Sequence, residues 1–401
     1  VSGDLENLKA NGLSLIIGKR GREFISIFKG LKGKILEISQ LSVGLKSQAA
    51  AVGYQIDQDF SIFEEEFSDT IEVLEKFITW LEAPKKQRLL VFFQNPSEIR
   101  PGGGFIGSYA MATLFQANLL DLQVRDIYDP DGQLDLKVVP PKQLQGVTDR
   151  WGARDANWFF DFPTSAKKVI EFLEASKLYK EQGIEFSGAI AVNVDVIKDI
   201  LSVIGPIELP EYKLTIGPDN FLTEVQKEVE EGENKVAGEP KRILKTLTPI
   251  LFDRLSKLND KEKKLLLEKL SERIDKKDII IYFEEPVFKE HLIKLGVAGE
   301  VAVLSENFTG DYLAVVNANV AGGKSDAFMD QKISFKMTLD PRGVIENRLE
   351  IERKHRGQNE KEWWYKATNK NFMQILATPG SELIKMTGGA SKGIKPLANY
   401  S

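Results

Sequence analysis

Glu98, Arg100 and three consecutive glycines, Gly102, Gly103 and Gly104, stand within seven residues of one another. A carboxylate, a fixed cation and a backbone free of side chains give one loop the means to hold and orient an anion. Glycine tolerates positive φ and presents bare N–H groups, which suits an anion-binding concavity. The competing reading is a tight strand connection in which the glycines only make the turn. Before the loop runs Leu89-Leu90-Val91-Phe92-Phe93, which reads as a buried strand. After it, residues 105–115 are rich in β-branched and aromatic types and read as a second strand. A nucleotide-hydrolase phosphate loop needs a Gly-Lys-Ser/Thr ending and a helix directly behind it. Neither is present here, so no helix dipole is offered to a phosphate. A dinucleotide-binding fingerprint fails on the same ground.

Three further clusters carry chemistry. Arg150, Arg154, Asp155, Asn157 and Asp161 interleave with Trp151, Trp158 and Phe159. The arginines suit a phosphate, the carboxylates suit a hard cation, and the rings could stack on sugars or bases. Equally, this could be a loop pinned by tryptophan burial and internal ion pairs. The run from Asn317 to Asp326 holds Gly322-Gly323-Lys324-Ser325 but lacks the earlier P-loop glycine and precedes a strand. It reads as a turn that delivers Lys324 to a site. Arg125 and Asp126, with Asp129 and Asp131, form an acidic strand end that reads as solvated.

Composition excludes several chemistries. The chain has 401 residues, 28% of them charged and 42% hydrophobic, as in ordinary globular proteins of two or three domains. A net charge of -5 gives no general attraction to nucleic acid or anionic lipid. The absence of cysteine removes disulfides, thiolate zinc sites and cysteine nucleophiles. His291 and His355 are the two histidines, and neither lies in a motif, so a Ser-His-Asp triad or a histidine-rich metal site is not expected. No apolar run reaches the roughly 20 residues of a spanning helix.

Hydrophobic periodicity divides the chain into three segments. Residues 1–84 read as a long-helix hairpin or stalk, with stripes Ile56, Phe60, Phe63, Phe67 and Ile71, Leu74, Ile78, Leu81. Residues 85–326 read as an α/β domain. Strands are expected at 88–94, 104–116, 120–128, 187–193, 279–283 and 311–317. Helices are expected at 164–175, 194–203, 219–231, 239–258, 260–275 and 285–295, with a turn at 129–132 and an irregular stretch at 133–150. Alternating strands and helices predict a sheet covered by helices on its faces. Residues 327–401 read as an antiparallel β module and a tail, because 332–339 and 348–353 alternate cleanly about a turn at Asp340-Pro341-Arg342-Gly343.

Taken in order, Phe93-Gln94-Asn95-Pro96, Glu98-Ile99-Arg100, Gly103-Gly104-Phe105-Ile106-Gly107, Arg154-Asp155-Ala156-Asn157-Trp158, Asp161-Phe162-Pro163, and Asn319 with Gly323-Lys324-Ser325-Asp326 resemble the bacterial domain of unknown function 4012. The resemblance covers about residues 85–385 and implies no established activity. A more distant similarity is to the LytR–CpsA–Psr family, whose members transfer glycopolymers from a polyprenyl-pyrophosphate carrier to the cell wall. That similarity implies a central mixed sheet flanked by helices, an extracytoplasmic location, an N-terminal membrane anchor outside this chain, a magnesium ion and arginines clamping a pyrophosphate. The chain departs from that family in having Arg100-Pro101-Gly102 in place of an Arg-Ser-Asp loop, and it lacks a Pro-Arg-Asp triplet after the later strand.

Two readings follow. In the first, an envelope protein binds a pyrophosphate or glycolipid and acts as a phosphotransferase on polyprenyl-pyrophosphate-linked glycopolymer. Glu98, Arg100, Arg154 and Asp161 would carry the chemistry, and Gly103, Gly104, Asn157 and Lys324 would contact substrate. Asp155 or Asp161 would hold Mg²⁺. In the second, the core is a degenerate scaffold in a non-catalytic surface or assembly protein, which would meet protein partners through the stalk or the β module. A cytoplasmic nucleotide-binding enzyme ranks behind both, for want of a loop followed by a helix.

Overall fold

The structure is a computed structural model that describes residues 1–52, 59–236, 238–305, 308 and 310–388. Its centre is a five-stranded sheet in the order β3-β2-β1-β4-β7, built from β1 (Gln87–Arg100), β2 (Gly103–Phe115), β3 (Asn118–Asp126), β4 (Gly188–Asn193) and β7 (Ile279–Phe283). Two short strands, β5 (Ile207–Leu209) and β6 (Leu214–Ile216), pair with each other between β4 and β7. Around β1 the sheet is mixed, since β1 runs antiparallel to β2 and parallel to β4. The parallel pairing needs a long crossover. Residues 101–187 supply it and include the helix Phe162–Ala175.

Alternation along the strands sends side chains to two faces. Leu90 and Phe92 are fully buried in the core that also takes Ala166, Val169, Ile170 and Leu173 of helix Phe162–Ala175. Each of the larger of these side chains contributes roughly 1.5–3 kcal/mol of burial. Val91 and Phe93 point the other way, as do Ala110 of β2 and Val192 of β4, and they floor a cavity. Over it lie the helices Val194–Ile204, Phe221–Glu231 and Arg242–Ser256, whose apolar stripes form a second core. The expected architecture, a mixed sheet with helices on its faces, is therefore present.

At the N-terminus the helices are Ser2–Ile17, Gly21–Ala51 and Asp59–Glu82 rather than a simple pair. The first break falls beside Lys19, held at φ 57. The second and third helices run antiparallel, because Lys29 pairs with Glu82 and Lys32 with Glu75. One end of this bundle docks on the sheet, where Trp80 packs edge-on against Phe283 of β7 and Phe77 against Phe288. Of the expected stripe, Phe67 packs beside Leu31, Ile35 and Leu74. Ile56 and the side chains of Phe60 and Phe63 lie outside the described residues.

Toward the C-terminus, β9 (Met329–Leu339) and β10 (Ile345–His355) form an antiparallel ribbon with register from Ile345↔Leu339 to His355↔Met329. Strand β8 (Leu313–Asn319) pairs with β11 (Asn371–Ala377), so hydrogen bonding joins the segments on either side of residue 326. The expected turn at 129–132 is instead a short helix, Tyr128–Gly132, and Asp126 just before it accepts from the Tyr128 N–H at 3.0 Å. Residues 386–388 are irregular and exposed, and the rest of the expected tail, 389–401, lies outside the described residues.

Candidate functional site: an apolar cavity with a charged mouth

Between the sheet and the covering helices lies a cavity of about 620 Å³. Its inner wall is aliphatic and aromatic, with Val91, Phe93, Val192, Ile200, Val225 and Leu251 among the lining residues. Polar groups gather where β1 ends. Glu98, Arg100, Arg154, Asp155, Lys241, Lys324 and Glu230 all line this end, beside Tyr128. A pocket of this size falls within the ~300–1,000 Å³ typical of ligand sites. Glu98, Arg100, Arg154, Asp155 and Lys324, separated by as many as 226 positions in the chain, thus share one cavity.

Arg100 is only 5% exposed. Its Nη1 donates to Asn319 O at 2.5 Å and to Ile99 O at 3.2 Å. Its Nη2 donates to Glu98 Oε1 at 3.1 Å and stands 3.7 Å from Asp155 Oδ1. The guanidinium also lies over the Phe105 ring at 5.0 Å. These contacts make Arg100 a tie between the end of β1 and β8, while its Nε is buried without a partner. Burial pushes the Glu98 carboxyl above its ordinary value, while Arg100 and Lys324 pull it back.

Arg154 is more open, with 32% of its side chain exposed. It donates to Asp155 Oδ2 at 3.0 Å and to Thr148 Oγ1 at 3.3 Å, and it lies 5.3 Å from the Tyr128 ring centroid. Lys324 reaches the mouth on the turn after β8 and pairs with Glu230 at the end of the helix Phe221–Glu231. Gly323 at φ 58 allows that turn to close under Trp364 O.

The three glycines serve the scaffold. A methyl group on Gly102 would collide with Asn157 Oδ1, and one on Gly104 would sit 2.6 Å from the Asn95 backbone. Gly103 holds φ 123, which L side chains avoid. Two buried amides clamp the strap: Gln94 Nε2 donates to Gly102 O and Asn157 Nδ2 to Gly104 O, both at 2.8 Å. Gly103, Gly104 and Asn157 therefore stand behind the wall and do not line the cavity.

Asp161 also lies away from the mouth. It caps the helix Phe162–Ala175 by accepting from Thr164 N at 2.9 Å, and it accepts from Val301 N at 3.0 Å. Asp155 is engaged by Arg154 and Arg100. Asp155 and Asp161 consequently do not form a shared metal site. Among the described residues, no group of three or more His, Cys, Asp or Glu side chains is arranged to hold a metal ion. The rings expected to stack on sugars are committed to packing. Trp151 and Trp158 are buried, and Trp158 stacks on Phe372 at 6.1 Å. The Arg125 and Asp126 strand end is not simply solvated, since Asp126 holds Lys241 and Asp131 accepts from Ala153 N at 2.7 Å.

Sequence reasoning missed Lys241, Glu230 and Tyr128. Lys241 Nζ lies 2.7 Å from Asp126 Oδ1, donates to Gly107 O, and sits 5.2 Å from the Tyr128 ring. Burial lowers its pKa, with Asp126 opposing. Lys241 falls inside the expected helix 239–258 and Glu230 in a run of glutamates, so neither carries a local signal.

Fold and site together define an α/β protein with a mixed sheet and a largely apolar cavity that carries a cluster of charged residues at one end. Residues 85–229 match the family model described as protein of unknown function (DUF4012), a match that supports that family and runs from just before β1 into the helix Phe221–Glu231. No curated protein matches. Among solved structures, that of the transcriptional regulator yvhJ from Bacillus subtilis is similar at 12% identity, covering 67% of this chain and 91% of that one with a TM-score of 0.25. An overlay at that level carries no argument about fold or function.

Proposed function

We propose that this protein binds a lipid whose head group carries phosphate, with the apolar chain in the cavity and the phosphate at the mouth. The observation that supports this reading is the segregation of the lining, apolar within and charged at one end, with four cations among the charged groups. At ~30 Å³ per water-sized group, 620 Å³ holds roughly 20 such groups, enough for a branched chain of about that many carbons. The similarity to the LytR–CpsA–Psr family would make the ligand a polyprenyl-pyrophosphate-linked glycopolymer and the setting the extracytoplasmic envelope. Arg154 and Lys324 are the cations most able to turn toward a phosphate, while Arg100 fixes the wall behind them. The Asp155 and Asp161 carboxylates do not fit a shared Mg²⁺, so no transfer step is routed through a metal.

A second reading, binding without phosphotransfer in an assembly or carrier role, has support of its own. Each of the four lining cations already has a carboxylate partner: Glu98 for Arg100, Asp155 for Arg154, Asp126 for Lys241 and Glu230 for Lys324. Displacement of an apolar fluorophore from the purified protein tests lipid binding for both readings. Geranylgeranyl pyrophosphate should displace it more strongly than geranylgeraniol. Equal displacement by the two, or none by either, would overturn the proposal. With a glycan-bearing lipid pyrophosphate, transfer of the glycan phosphate to an acceptor hydroxyl, with cleavage of the P–O–P bridge and release of the lipid monophosphate, would then favour transfer over carriage.

A further inference from the structure

The cavity lining brings four cations to the mouth, Arg100, Arg154, Lys241 and Lys324, against three carboxylates, Glu98, Asp155 and Glu230. A ligand phosphate must therefore compete with carboxylates for every cation it uses. These pairs differ in what they join. Glu98 and Arg100 are two residues apart on β1, and Asp155 adjoins Arg154. Lys324 and Glu230 instead bridge elements 94 positions apart, the turn after β8 and the C-terminal end of a helix that covers the cavity. Their side chains are 13% and 17% exposed, so the pair is partly shielded from solvent screening yet reachable from the mouth. One turn earlier the same helix is held by Gln226, which accepts from the Tyr365 hydroxyl at 2.6 Å. This second tie keeps the helix seated when the ion pair exchanges.

Resting on the lipid-phosphate reading, we infer that Glu230 sets how much negative charge the mouth accepts. In the free protein one oxygen of Glu230 holds Lys324 and the other lies 3.5 Å from the more exposed Lys235. An anionic head group takes Lys324 from it, and the carboxylate, left with only the solvent-screened Lys235, repels further negative charge at the helix end. Glu230 thereby tunes the site toward a head of low charge and against a densely charged one. The ligand class it favours is a lipid monophosphate or phosphodiester, with a free pyrophosphate end bound less well.

A matched series of geranylgeraniol, geranylgeranyl monophosphate and geranylgeranyl pyrophosphate tests this by fluorophore displacement from the whole chain. Glu230→Gln should raise pyrophosphate affinity about tenfold relative to the alcohol and monophosphate affinity less, so that the preference between the two heads changes. Lys324→Met should lower the affinity of both phosphates relative to the alcohol. A folding defect would not move the two variants in opposite directions. If the wild-type protein separates phosphates from the alcohol but Glu230→Gln leaves the ratio of pyrophosphate to monophosphate affinity unchanged, the role of Glu230 is wrong while lipid-phosphate binding stands. If the wild-type protein does not separate them, the lipid-phosphate reading itself has failed.

Discussion

Replacing Arg100 by methionine separates a structural arginine from a ligand-binding one. The substitution keeps the length of the apolar stem and deletes the guanidinium. It leaves Asn319 O, in a fully buried residue, without its 2.5 Å donor, and it strips Glu98 and Asp155 of a shared cation. With Arg100 only 5% exposed, solvent cannot make good these losses. Removing one partner of a buried charge pair costs about 3–5 kcal/mol. That is the expected loss in urea unfolding, followed through the fluorescence of the buried Trp151 and Trp158. The loss should depend on pH with a definite sign. Glu98 is raised above its ordinary value by burial, so the folded state keeps that proton longer than the unfolded state does. The contribution of Glu98 to stability therefore falls as pH rises from the ordinary glutamate range through its folded value. Without Arg100 the folded value rises further, so the deficit should be largest near neutrality and shrink in acid. A loss below about 1 kcal/mol at pH 7, the scale of an exposed pair, would refute the structural assignment and return Arg100 to the ligand.

Gly102→Ala should cost about 1–3 kcal/mol through its clash with Asn157, measurable by the same unfolding assay; a neutral effect would contradict the tight strap. Asp161→Ala should cost about 1–2 kcal/mol by uncapping the helix Phe162–Ala175, while lipid displacement curves stay unchanged. Lost lipid binding in a folded Asp161→Ala protein would instead connect that residue to the site. Val225→Trp, on the helix that covers the cavity, adds seven side-chain heavy atoms to its lining and should weaken displacement by any C20 compound while far-UV circular dichroism stays native. Undiminished binding would put the lipid elsewhere.

Much of the fold was legible because local rules were strong. The apolar run at 279–283 became β7 with those same bounds, and Asn259, followed by Glu262 three residues later, forms a capping box that starts the helix Asp260–Asp275. The period-two pattern of 332–339 and 348–353 became the β9–β10 ribbon. Long-range pairing was not legible. The β8 run carries no mark of β11 as its partner, because register depends on which edges meet in space. The site divides in the same way. Residue types singled out Glu98, Arg100, Arg154, Asp155 and Lys324, and these meet at the mouth. The same reasoning chose Asp161, because a helix-capping carboxylate and a metal-binding one look alike in sequence.

By itself, the sequence determined most of the strands and helices of the α/β core, where three glycines allow a strap to close, and which ionisable groups are available; it did not mark the short β5 and β6 or β11. Those properties follow from local sterics and hydrophobic period, which operate over a few residues. Only the tertiary structure decided that Val91, Phe93 and Val192 would floor an open cavity while Leu90 and Phe92 filled a packed core. It alone buried Arg100 among its acceptors and set Lys324 against Glu230. Charge and burial act through space, and the partner that fixes a side chain's role lies up to hundreds of residues away.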